Sequence, residues 1–309
     1  MVRYARAFAP GHVTGVFRPA SCGRDPRRTG SVGAGLVLEL GSVASVSWDP
    51  SGRRSTRVTG SRGEPLPITA EAVEHLRSTR PGRLRVEVTA GLPVGQGFGM
   101  SAAGTLAASL ATASLLGLPR SRAIETAHLA ELFGRGGLGG VAAILGGGLD
   151  LRRSPGVPPF GVVRHFPWGP QPVFVTRVGP PIPSPRILSD PAWLARIDRA
   201  SEGLERLLAR PSKEEFLRLS EQFTDRLRLG PPSFLRAARA LRRTGCWVAQ
   251  AMFGSALFIV PRSPAARSAV VRALTSRGLA AVEVRVRSQG ARRLAPRPPA
   301  PARTLPQRL

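Results

Sequence analysis

The sequence is short of lysine, cysteine, tyrosine and acid. Of its 309 residues one is lysine (Lys213), two are cysteine (Cys22 and Cys246) and one is tyrosine, while 19 Asp plus Glu face 45 Lys plus Arg. A lone lysine in Pro-Ser-Lys-Glu-Glu, with no glycine before it, excludes a Gly-Lys-Ser/Thr phosphate loop. Two distant cysteines, with no Cys-x-x-Cys and no Cys/His cluster, argue against a disulfide scaffold or structural zinc and fit a reducing compartment. No stretch offers the roughly 20 strongly apolar residues of a bilayer span, and the N-terminus Met-Val-Arg-Tyr-Ala-Arg lacks the apolar centre of a signal peptide. A cytoplasmic location without membrane contact is expected.

The shortage of acid leaves a net charge of +26, which points at first to nucleic acid. Two features weigh against that. The cations are 44 arginines set among 35 glycines and 30 prolines, a pattern that a GC-rich coding bias produces by itself, and aromatics at 6% give few platforms for stacking bases. With 42% hydrophobic and 21% charged residues the chain is globular, and its length allows about two domains of ~150 residues. No specific nucleic-acid partner is expected.

Strands are expected at 2–18, broken by a Pro10-Gly11 turn, and at 32–48, 84–89, 149–152, 162–166, 173–178, 247–252, 257–260 and 281–286. Helices are expected at 68–77, 102–116, 121–133, 193–209, 213–227, 233–243 and 265–277. Residues 52–63 read as a charged turn region, and the Pro/Arg-rich stretch 291–309 as a disordered tail.

One absence is local. Val88 to Pro119 contains no Asp, Glu, Lys, Arg or His over 32 residues. Its first half is glycine-rich and its second is a proline-free run of Ala, Ser, Thr and Leu, giving strand, glycine loop and buried helix. Such a loop is an anion site: main-chain N–H groups converge, the helix end adds partial positive charge, and glycine lets a phosphate approach closely. Tight packing is the alternative reading. A dinucleotide reading of Gly97-Phe-Gly-Met-Ser-Ala102 fails, because the loop comes late and no acid follows about 20 residues on.

Pro93-Val-Gly95-Gln-Gly97-Phe-Gly99-Met-Ser101-Ala102-Ala103 resembles the Pro-x-Gly-x-Gly-x-Gly-Ser-Ser-Ala-Ala loop of the GHMP kinase superfamily, with Met100 in place of the first serine. Phe8 to Gly15 resembles the N-terminal motif of that superfamily, and Gln250 to Phe258 its C-terminal glycine motif. Within it, Pro10-Gly-His-Val-Thr14, Gly30-Ser-Val-Gly33-Ala34-Gly35, Gly137-Leu-Gly139 and Met252-Phe-Gly254 resemble the archaeal pantoate kinases. The resemblance implies an α+β fold with a ribosomal-protein-S5-like N-terminal domain (1–155) and a ferredoxin-like C-terminal domain (156–290). It also implies ATP-dependent phosphorylation of pantoate to 4-phosphopantoate with Mg2+ in coenzyme A biosynthesis, and allows a homodimer.

Carried over by position, Pro93, Gly95, Gly97, Gly99, Ser101, Ala102 and Ala103 hold the ATP phosphates. Ser101 and Glu131 are the catalytic and metal-binding pair, and Arg152, His12 and Thr14 bind the acceptor. One departure stands out. The family reads Gly-Leu-Gly-Asp where this chain reads Gly137-Leu138-Gly139-Gly140, so the expected catalytic carboxylate is missing. Either a base is dispensable, or Asp150 substitutes from the next strand, or activity is lost or changed. Weakened turnover is the expectation; another GHMP small-molecule kinase and a non-catalytic polyanion-binding relative are the rivals.

Overall fold

The computed structural model describes residues 1–296. The chain opens with two long antiparallel strands, β1 (Arg3–Ser21) and β2 (Thr29–Asp49), in register from Arg3 against Trp48 to Ser21 against Thr29. The expected turn at Pro10-Gly11 is instead continuous strand, and the register shifts there because Glu39 and Leu40 of β2 have no partner on β1. Proline lacks the N–H that a ladder needs, and a bulge absorbs it while pairing continues on both sides.

β3 (Ser55–Gly60), α1 (Pro67–Arg77) and β4 (Arg83–Ala90) form a parallel crossover, with β4 beside β2. β3 lies inside the stretch expected to be a charged turn. It is an edge strand in which Ser55 and Arg57 are exposed and Thr56 and Val58 half-buried, so a single apolar side chain leaves little alternation to read.

The chain continues with α2 (Met100–Leu115), α3 (Arg120–Phe133), the single turn α4 (Gly140–Ala143), β5 (Leu149–Ser154) and β6 (Val162–Phe166). Every residue of α2 except Ser101 and Ser114 is buried. The charge gap of the sequence is thus a helix sealed on all sides, where an ionised side chain would have no counter-charge.

A second layer follows: β7 (Val173–Arg177), α5 (Ser184–Leu188), α6 (Pro191–Ala200), α7 (Leu204–Ala209), α8 (Lys213–Leu227), α9 (Pro232–Arg242), β8 (Cys246–Gln250), β9 (Ala256–Pro261), α10 (Pro264–Thr275), β10 (Ala281–Val284) and β11 (Arg292–Leu294). The single helix expected at 193–209 breaks into α6 and α7 around Gly203, whose φ of 95° lies outside the helical region. β10, β7, β9 and β8 form an antiparallel sheet in that order, the ferredoxin-like arrangement.

The first sheet does not stop at 155. β6 pairs with β5, and β11 returns to pair with β1 at Arg6–Phe8, inside the stretch expected to be a disordered tail. Main-chain pairing along β1 outweighs the Pro/Arg composition there, and residues 297–309 lie outside the described part. The two layers share an apolar core in which Phe17 of β1 meets Phe223 of α8 at 5.8 Å and Phe253 at 5.1 Å between ring centroids.

Candidate active site

The three glycine-bearing motifs converge on one cleft. His12 N–H donates to Phe98 O at 2.9 Å, and Met252 N–H donates to Thr14 O at 3.2 Å. A Cβ at Gly254 would strike the Gln96 carbonyl, so only glycine lets the C-terminal loop press against the loop before α2. Gly99 caps α2 with φ 69° and no side chain, so the amides of the first turn have no partner and face the cleft.

Glu131 of α3 lies beside that helix end and is 3% exposed. Its Oε1 accepts the Ser101 hydroxyl at 2.6 Å and the Thr105 hydroxyl at 3.2 Å. Burial pushes its carboxyl up to about 7, with the two hydroxyl bonds opposing. Thr105 was not among the expected site residues, although its place four residues after Ser101 puts both hydroxyls on one helix face.

On the opposite wall, His12 Nε2 meets Asp150 Oδ1 at 2.5 Å, and the other Asp150 oxygen pairs with Arg152. Burial works to raise the Asp150 carboxyl, but the Arg152 guanidinium and His12 outweigh it and hold it at about 2. Thr14 Oγ1 stands 3.4 Å from His12 Nδ1.

Gly95, Gly97, Gly99, Ser101 and Ala102 line the cleft from the loop side, and His12, Thr14 and Glu131 from the walls. Pro93, Ala103 and Arg152 do not line it. Pro93 is buried, and Ala103 faces the core because the helix turns it there. Arg152 is 2% exposed behind Gly139, where a Cβ would come within 3.0 Å of its guanidinium, and its Nε has no partner. Asp150 is fully buried and absent from the cleft, so it cannot reach an acceptor itself. Gly136 to Gly140, Ser31, Met252 and Phe253 also line it, with Phe17, Phe98, Met100 and Ser184.

Residues 67–148 match the family "GHMP kinases N terminal domain". The pantoate kinase of Thermococcus kodakarensis is 31% identical over 271 residues, covering 85% of this chain and 90% of that one. The chain belongs to the pantoate kinase family. A second pantoate kinase, from Methanospirillum hungatei, is 30% identical over 199 residues, 63% of this chain and 67% of that one. A solved structure described as a phosphotransferase related to the CoA biosynthesis pathway superposes with a TM-score of 0.83 at 29% identity, over 94% of this chain and 98% of the other.

The fold is that of the GHMP kinases. Within this pantoate kinase family member, Ser101, Thr105 and Glu131 fall inside the matched N-terminal segment, whereas His12, Asp150 and Arg152 fall outside it. Gly140, where the family motif carries aspartate, sits opposite Ala102, and a Cβ there would stand 2.8 Å from the Ala102 Cβ.

Proposed function

We propose that the protein transfers the γ-phosphoryl group of ATP to the 4-hydroxyl of pantoate, yielding 4-phosphopantoate for coenzyme A biosynthesis. The observation that carries this reading is the Ser101–Glu131 pair, 2.6 Å apart at the uncapped N-terminus of α2 and on the floor of a cleft shared by all three motifs. The free amides and Gly95, Gly97 and Gly99 cradle the phosphates, since the main chain can approach them without a side chain in the way. No cluster of three His, Cys, Asp or Glu among the described residues makes a metal cage. A lone buried carboxylate beside a hydroxyl fits Mg2+, which keeps few protein ligands and takes the rest from phosphate and water. When bound, the ion draws charge off the phosphate oxygens during transfer.

Arg152 does not line the cleft, so its proposed grip on the pantoate carboxylate needs the Gly139 segment to give way. Its orphaned Nε is a buried donor held one glycine away from the cleft, and a guanidinium suits a carboxylate. Thr14 and His12 line the cleft from β1 and are the further residues assigned to the acceptor. The test is ADP release by the purified protein with Mg2+ and, in parallel, pantoate, mevalonate, homoserine and shikimate. Turnover with pantoate alone is expected; none above background with pantoate overturns the reading.

A further inference from the structure

The cleft lacks the carboxylate of the family motif, yet it does not lack a base. Among the described residues that line it, only His12 and Glu131 carry ionisable side chains. Glu131 is tied to Ser101 and Thr105 on the phosphate side. His12 is on the other wall, buried to 3% exposure, and its two nitrogens have different surroundings. Nε2 lies 2.5 Å from Asp150, a residue outside the cleft. Nδ1 lies on the side of Thr14, which lines the cleft, at a distance too long to occupy it with a good hydrogen bond.

An acceptor-only carboxylate at Nε2 holds a proton there, so in the neutral ring the lone pair is on Nδ1, on the side of Thr14. The ring is held as a positioned base must be. Its backbone N–H is bonded to Phe98 O, and Gly99 packs on its main chain, with a Cβ there 3.1 Å from the His12 backbone nitrogen and Cβ. A side chain at Gly35 would collide with Nε2 and Cε1, so glycine at that place in β2 is what admits the ring.

We propose that His12, oriented by Asp150, is the general base of this enzyme and does the work of the carboxylate missing at Gly140. The inference rests on the acceptor being a hydroxyl, as in the function proposed above. As the hydroxyl oxygen bonds to the γ-phosphorus, the bond from that phosphorus to the β,γ-bridging oxygen breaks and its electron pair leaves with ADP. The hydroxyl proton passes to Nδ1, the imidazolium is paired with Asp150, and the proton leaves to solvent after product release. The charged and titratable groups around the ring are Asp150 and Arg152 from β5 and His165 from β6; the facing parts of β2 and of the loop before α2 contribute none.

The experiment compares wild type, His12→Gln, Asp150→Asn and His12→Gln/Gly140→Asp, with ATP affinity measured by titration beside kcat and KM. His12→Gln is expected to lower kcat by about 100-fold with ATP affinity and KM unchanged. Asp150→Asn is expected to lower kcat rather than KM or ATP affinity, as a positioning residue does, and Gly140→Asp to restore at least tenfold of the His12→Gln loss. An unimpaired kcat in His12→Gln, a loss confined to KM, or no rescue by Gly140→Asp overturns the role of His12. If Asp150→Asn does not fold, the His12→Gln and rescue arms decide. Wild type inactive with every hydroxyl acceptor defeats the functional reading and the base with it, whereas an active wild type beside an unimpaired His12→Gln defeats the base alone.

Discussion

Ser101 and Glu131, thirty residues apart in the chain, share a hydrogen bond of 2.6 Å that ties the start of one helix to the end of another. No cation is near enough to balance the carboxylate, and burial lifts it to about 7.

That lift has a sign. A carboxyl raised in the folded state contributes stability below its unfolded value of 4.5 and loses it as pH climbs through about 7. The displacement corresponds to about 3 kcal/mol between its protonated and ionised forms. In chelator, Glu131→Gln is therefore expected to be more stable than wild type at pH 8 and to lose that advantage towards pH 4.5, while turnover is abolished. Urea unfolding at both pH values checks it; a stability difference independent of pH refutes it.

Arg152 serves two carboxylates in this reading, that of Asp150 and that of pantoate. Lysine keeps the charge but not the planar fork, so Arg152→Lys is expected to raise the KM for pantoate by about tenfold or more and leave ATP affinity untouched. Steady-state kinetics against each substrate separates the two, and an equal loss on both would assign Arg152 to the architecture alone.

Gly140→Asp puts the family's carboxylate back, against an Ala102 methyl 2.8 Å from the new Cβ. With His12 already taking the proton, the gain in kcat is expected to stay below about tenfold in the otherwise unchanged chain. A gain of 100-fold would mean that the native cleft has no working base.

Gly254→Ala tests the seam between motifs. The added methyl meets the Gln96 carbonyl, backbone against backbone, and neither side can yield without opening the loop before α2. A lower Tm and an ATP KM raised about tenfold, equivalent to about 1.4 kcal/mol, are expected. Unchanged ATP affinity would show that the seam does not shape the phosphate cradle.

Much of this was legible in the chain. The helix expected at 102–116 is α2 within two residues, because a run without ionisable side chains can only be buried. The strand expected at 162–166 is β6. Arg57 and its polar neighbours hid β3, since Val58 is the one apolar side chain it turns to the core, and a Pro-Gly pair that reads as a turn became a point of register shift once β2 lay alongside it. Thr105 could have been found from helical spacing.

The sequence by itself determined the glycine-rich loop before α2, the Ser101 and Glu131 candidates and the absence of a carboxylate at Gly140, because glycine, helix signals and missing charge are local properties. Only the tertiary structure decided what takes that carboxylate's place. β1 and β5 flank the same stretch of β2, with Thr14 and Asp150 both opposite Gly35, and the missing side chain of that glycine lets the His12 ring reach Asp150 from 138 residues away. Strand adjacency across a sheet is set by pairing and packing of the whole layer, and no spacing in the chain records it.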